Sequence, residues 1–180
     1  MPPVRCLATF AVLSALIMCC SGKARPLHRV PLPWTAVYYG TPEQLEQSIA
    51  KGGDPNRIDN KTKGAYIPRP LHVAAQRDSP EIMKVLLRHG ADPNGRDSDG
   101  RSAMHEAAVS GSIGCAKLLV KFGANVNLAD HRGITALGQA EGLLLSYPLG
   151  PKRRAKVLSV KKFLLDHGGK MRPVGIGDGV

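Results

Sequence analysis

The sequence predicts an all-α solenoid of about four helix–turn–helix repeats with projecting turns, stacked into one domain over residues 32–170. Three observations lead there. The stretch "RHGADPNGRD" (88–97) returns as "KFGANVNLAD" (121–130), which sets Gly90 and Gly123 33 residues apart. The same interval links His72 to His105, Ala74 to Ala107, Ala75 to Ala108, Asn94 to Asn127 and Asp97 to Asp130. A period held over many positions marks a repeat architecture. Second, apolar residues recur at helical spacing before each glycine: Ile82, Val85, Leu86; Cys115, Leu118, Leu119; Val160, Phe163, Leu164. Third, aromatics make up only 4% of the 180 residues while 43% are hydrophobic. A core of Leu, Val, Ile and Ala suits closely packed helices better than a sandwich, and no strand is evident.

Residues 1–24 read as an address. Arg5 precedes the run Leu7 to Met18, no charge occurs from Cys6 to Gly22, and small residues follow at Ser21, Gly22 and Ala24. That is the layout of a secretory signal peptide. The run is shorter than the roughly 20 residues a membrane-spanning helix needs. The stretch "LSALIMCC" also resembles a bacterial lipoprotein signal, with Cys19 or Cys20 as the lipidated residue. Export is therefore expected, to a secreted or periplasmic location, free or lipid-anchored. Residues 25–31 form a linker.

Repeat one (about 32–56) opens its second helix with Thr41-Pro-Glu-Gln44, a hydroxyl N-cap, a first-turn proline and a capping-box glutamine. Gln44, Gln47 and Ser48 stand where later repeats are apolar, as suits a terminal repeat with one open side. Its Gly52 echoes Gly90, but 38 residues earlier; the five extra residues fall in "KTKGAYI" (61–67). Repeat two (57–94) has small Ala74 and Ala75 for close stacking and Ser79-Pro-Glu to cap its second helix. Repeat three (95–127) repeats that plan with Ala107 and Ala108. In repeat four (128–170), Gly168 lies 45 beyond Gly123, twelve more than one period, and the surplus falls in "LLLSYPLGPKRR" (143–154). It reads as a binding loop, a membrane contact, a nuclear-import-like cluster if 1–24 is no signal, or simply longer helices. Gly52, Gly90, Gly123 and Gly168 stop the helices in the left-handed conformation; Asp99-Gly100 and Arg132-Gly133 suit tight turns. The Gly-rich tail 171–180 is expected to be disordered.

The segments Arg69-Pro-Leu-His-Val-Ala-Ala75 and Ser102-Ala-Met-His-Glu-Ala-Ala108, each followed by a Leu-rich helix and a Gly-Ala-Asp-x-Asn-like turn, resemble the ankyrin repeat. Arg69 stands where that pattern has Thr, Gly138 where it has His, and Trp34 where repeat one should have His. The resemblance implies binding of another protein on a concave face made by turn tips and first helices. By position that face includes Gln76, Arg77, Ser98, Asp99, Arg101, Val109, Ser110, His131, Arg132 and Ile134. Tyr66, in the first insertion, adds an aromatic anchor.

Signs of other chemistry are few. His72 and His105 share one repeat position, His89 and His167 another, so they follow the period and not metal-ligand spacing. The aspartates at 54, 59, 92 and 97 lack the alternating spacing and closing glutamate of a calcium loop. Cys115 falls on the phase of Ile82 and Val160, as a core residue does. No catalytic residue, metal or cofactor is expected, and the chain reads as a non-enzymatic monomer. Lys and Arg number 25 against 14 Asp and Glu, a net charge of +11, which favours an acidic protein partner. The basic patch Lys152, Arg153, Arg154 and Lys156 supports an alternative, binding of anionic membrane or nucleic acid through 152–172. Little aromatic interleaving for base stacking makes nucleic acid the weaker of those two.

Overall fold

The structure, a computed structural model, describes residues 30–31, 34–57 and 68–171. The expected signal segment with Cys19 and Cys20, the first insertion with Tyr66, and the tail beyond 171 lie outside the described residues. Eight helices are described: α1 (Trp34–Tyr38), α2 (Pro42–Ala50), α3 (Pro70–Gln76), α4 (Pro80–Arg88), α5 (Ala103–Ser110), α6 (Ile113–Lys121), α7 (Ala136–Ser146) and α8 (Pro151–Asp166). The first helices α1, α3, α5 and α7 pack in one row and the second helices α2, α4, α6 and α8 in another. The expectation of no strands is corrected. β1 (Val30–Pro31) pairs in parallel with β2 (Gly53–Asp54), and antiparallel bridges join Arg96 to Ser102 and Ala129 to Thr135. Two-residue strands are too short to leave an alternating pattern in sequence, and Pro31, which lacks an N–H, is tolerated on an edge.

Burial of the apolar stripes holds the stack together. Leu45, Met83, Leu86, Met104, Leu119, Leu137 and Leu164 are fully buried, at about 2 kcal/mol each. Ala74, Ala75, Ala107 and Ala108 have no exposed surface, so the first helices approach with no side chain between them. Cys115 is equally buried, its Sγ donating to the Ala74 carbonyl at 3.8 Å. Burial pushes that thiol up to about 12, so it stays protonated and inert at neutral pH.

The recurring Gly-x-x-x-Asn loop is a ladder between repeats. Asn56 donates through Nδ2 to the Gly90 carbonyl and accepts from the Asp92 N–H. Asn94 makes the same pair with Gly123 and Asn125, and Asn127 with Gly168 and Lys170. Each asparagine thus satisfies one orphan carbonyl and one N–H at the helix end of the next repeat. Gly90 can present its carbonyl there because it sits at φ 83°, a conformation that costs glycine little.

The histidines form a second ladder. Nε2 of His72 lies 2.8 Å from the Arg101 carbonyl, and Nε2 of His105 lies 3.0 Å from that of Ile134. A carbonyl only accepts, so both rings carry their proton on Nε2. Nδ1 of His105 accepts from the Ser102 N–H at 3.1 Å and lies 3.0 Å from Ser102 Oγ. Nδ1 of His72 is buried without a protein partner, because Arg69 stands in the place of Ser102. Arg69 instead donates Nε to the Arg96 carbonyl at 2.7 Å. Arg69→Ser restores the missing hydroxyl and is expected to stabilise the fold by about 1 kcal/mol, less the loss of that partly exposed bond. Urea denaturation checks it; a loss of stability would show that the Arg69–Arg96 link outweighs the cap.

At the second helices, Thr41 caps α2 as its sequence indicates, with Gln44 Oε1 accepting from the Thr41 N–H at 3.1 Å. Ser79 does not cap α4. Asp78 before it sits at φ 52° and Ser79 itself at ψ 81°, which swings the hydroxyl back to the Arg77 carbonyl at 3.4 Å.

Most of the twelve-residue surplus of repeat four lengthens the helices: α7 has 11 residues against eight in α5, and only two of the twelve fall in the non-helical link 147–150. α8 has 16 residues where α2, α4 and α6 have nine, and seven more residues add about 10 Å of helix. The extra turns run back along the stack. A Cβ at Gly111, which ends α5, would lie 2.5 Å from Lys156 Cβ, and Lys156 Nζ reaches Asp78 Oδ2 at 2.8 Å. Val157 and Val160, fully buried, seat the helix. Past α8 the chain closes the stack: Thr135 Oγ1 donates to the Lys170 carbonyl at 2.6 Å. The Met171 carbonyl lies 2.9 Å from where a Cβ of Gly138 would be, space that a histidine at 138 would take.

Candidate binding groove

A groove of about 580 Å³ opens between the first-helix row and the extension of α8. Gln76 comes from α3, Glu106, Val109 and Ser110 from α5, and Lys152, Arg153 and Lys156 from α8. Gln76 and Val109 reach it because the last turn of each first helix projects past the close-packed alanines. The lysines and arginine reach it because α8 is seven residues longer than its counterparts. The structure thereby joins two sets of residues that the sequence keeps apart, the first-helix positions and the basic patch.

Other candidate positions fall elsewhere. Ser98, Asp99, His131 and Arg132 are exposed on the turn tips, with Ile134 half-buried beside them. These tips touch each other: the His131 N–H donates to the Asp99 carbonyl at 3.0 Å. Arg132 pairs with Asp130 at 2.9 Å. Arg77 lies at the end of α3, its guanidinium 5.5 Å from the centre of the Tyr39 ring. Arg154 is exposed on the first turn of α8 but does not line the groove.

Two expected face residues have structural duties. The Arg101 guanidinium contacts Glu106 Oε1 at 2.6 Å and buried Asp97 Oδ2 at 3.4 Å, with its own side chain 18% exposed. It is the clamp of its turn. Ser110 Oγ, with one proton to donate, lies 2.7 Å from the Glu106 carbonyl and 2.8 Å from that of Ala75, and Ser112 Oγ lies 2.8 Å from the same Ala75 carbonyl, so the two hydroxyls tie repeat three to repeat two at the edge of the groove. Glu106 lines the groove and was not among the sequence candidates. Its only signal is a charged residue in an otherwise small and apolar helix.

The histidine ladder, at the start of the first helices, is sensitive to pH. Burial lowers the pKa of His72, against the opposing pull of the Arg101 carbonyl and Asp97. Burial likewise lowers that of His105, against the Ile134 carbonyl and Asp130. For Asp130, burial acts to raise the pKa, but the N–H groups of Ile134 and Arg132 and the Arg132 side chain outweigh it and hold it below the ordinary value. The unfolded histidines take up protons near pH 6.5 and the folded ones only at lower pH. Stability is therefore full above that point and falls as pH drops toward the folded values; Asp130 adds a further loss at still lower pH. Urea melts at pH 7, 6 and 5 are expected to show a steady decline that is shallower in His105→Gln. A rise in stability over that window would contradict it.

Among the described residues no group of three or more His, Cys, Asp or Glu is placed to hold a metal ion, and no helix is long and apolar enough to cross a membrane. What the geometry offers is a repeat solenoid of stacked helices with a groove on one side that carries Lys152, Arg153 and Lys156. The family model for ankyrin repeats (3 copies) matches residues 34–130, more than half the chain, and the protein belongs to the ankyrin-repeat family. It is 33% identical over 127 residues to an ankyrin repeat protein of Rickettsia bellii, covering 68% of this chain and 48% of that one. It is 34% identical over 110 residues to the ADP-ribosylation factor GTPase-activating protein AGD2 of Arabidopsis thaliana, covering 58% of this chain and 14% of that one. A human BCL-6 corepressor-like protein 1 is 28% identical over 125 residues, 69% of this chain and 6% of that one. The chain thus spans half or less of the length of these relatives.

Proposed function

We propose that the protein is a non-enzymatic protein-interaction module that is exported, acts as a monomer, and binds an acidic partner along its concave side. The groove between α5 and α8 carries the reading. It is formed before any partner arrives, so binding orders few side chains and loses little entropy. The net charge of +11 speeds encounter with an acidic surface. Export rests on the basic start, apolar run and small residues of 1–24, with Cys19 and Cys20 as sites for a lipid anchor. Ankyrin repeats are generally protein-interaction modules, and the segment matched in AGD2 is 14% of that protein, so its GTPase-activating role gives no reading for this chain.

The test is photo-crosslinking with the reactive side chain at Val109 in the groove or at Lys117 on α6. Capture of a discrete protein from Val109 alone is the expected result. The same products from both positions, or none from Val109, would remove the groove as the binding site. A second reading, binding of anionic membrane or nucleic acid through 152–172, draws on the exposed Lys152, Arg153 and Arg154. A steep fall of affinity with salt toward vesicles or duplex, indifferent to Val109, would favour it.

A further inference from the structure

Resting on that reading, we infer that the extension of α8 turns the groove into a slot for a carboxylate-rich peptide segment of the partner, with Lys152 and Arg153 as the residues that select it. Of the four charged residues lining the slot, two are already balanced. Lys156 is paired with Asp78 at 2.8 Å, and Glu106 with Arg101 at 2.6 Å. Lys152 and Arg153 are exposed, and neither has an acidic partner among the described residues.

The position of these charges is itself costly. They sit on the first turn of a 16-residue helix that has no acidic residue there, at the positive end of the helix dipole. Each cation in that place opposes the helix dipole. The buried Val157, Val160 and Leu164 hold the helix despite this. An incoming carboxylate relieves the repulsion in the bound state only, so the arrangement favours anions beyond the attraction of two isolated charges.

The chemistry of the rest of the slot favours peptide over the other anions. Val109 supplies an apolar floor for side-chain contact, and exposed Gln76 offers an amide that can donate to and accept from a peptide backbone. Among the described residues no Phe, Tyr or Trp lines the slot, so they offer no platform for bases.

The test is fluorescence anisotropy with a fluorescein-labelled decaglutamate peptide. Native protein is compared with Lys152→Glu/Arg153→Glu and with Lys117→Glu/Lys121→Glu, an equal charge change on α6. Acidic residues in the first turn of α8 improve its agreement with the dipole, so the first variant is expected to fold, and circular dichroism verifies this. Should it not fold, Lys152→Gln/Arg153→Gln replaces it. About a tenfold loss of affinity for the α8 variant, against less than about twofold for the α6 variant, is expected for charges that contact the ligand and charges that do not. Equal losses in both variants, or no binding by native protein, would overturn the slot. So would phosphatidylglycerol vesicles that take up native protein in place of the peptide. Crosslinking from Val109 is independent of these readings. If it captures a partner while decaglutamate ignores Lys152 and Arg153, the groove stands and the slot fails.

Discussion

Gly111→Ala is expected to destabilise the protein by about 3–4 kcal/mol, whereas Gly90→Ala costs about 1–2 kcal/mol. Both glycines are left-handed, at φ 77° and 83°, so both substitutions incur the backbone strain. Only Gly111 has a neighbour. Its Cβ would lie 2.5 Å from Lys156 Cβ and 2.9 Å from the Lys156 backbone carbonyl carbon, while nothing comes within 4 Å at Gly90. Backbone atoms of a helix seated by Val157 and Val160 cannot step aside cheaply, so α8 must shift or α5 must end differently. The difference between the two variants in urea denaturation isolates the contact with α8. Equal costs would mean that the extension does not press on this turn, and the groove would lose its far wall.

Arg101→Ala is expected to cost about 2–3 kcal/mol, while Arg77→Ala changes stability by less than about 0.5 kcal/mol. Asp97 is 7% exposed, as is Glu106. Removing the guanidinium takes away a cation that two largely buried carboxylates share. Asp97 keeps the N–H groups of Asp99 and Arg101, both within 3 Å, which holds the loss below that of a wholly orphaned pair. Arg77 is exposed beside Tyr39, and little depends on it. Thermal or urea unfolding of both variants separates the two. If Arg101→Ala proved as stable as native protein, the clamp would be dispensable and Arg101 would return to the binding face.

That contrast shows how far the sequence could be read. Position within the period is visible in the letters, so Ala74, Ala107, Gly90 and Asn94 could be placed before any coordinates, and they stand where the stack requires them. What a side chain does at its position is set by neighbours one repeat away. Arg77 and Arg101 look alike as exposed arginines in sequence, yet only Arg101 lies beside Asp97 and Glu106. The Asn94 ladder joins residues about 30 apart, which spacing alone does not pair. Ser79 reads as a cap because its residue type is right, and the left-handed Asp78 before it removes that geometry. The surplus of twelve residues was countable, but its direction was not. Nothing in "PKRRAKVL" says that α8 runs back over Gly111 toward Asp78, and the groove exists only because it does.

The position of α8 is therefore the point on which the rest turns. Spin labels at Arg77, at the end of α3, and Arg154, on the first turn of α8, both exposed and outside the groove lining, report it directly through their dipolar distance distribution in solution. A single narrow, short distribution, in the free protein and again with decaglutamate bound, is expected of a wall fixed against the stack. A broad distribution, or a long distance that shortens only with ligand, would show that the groove is not preformed.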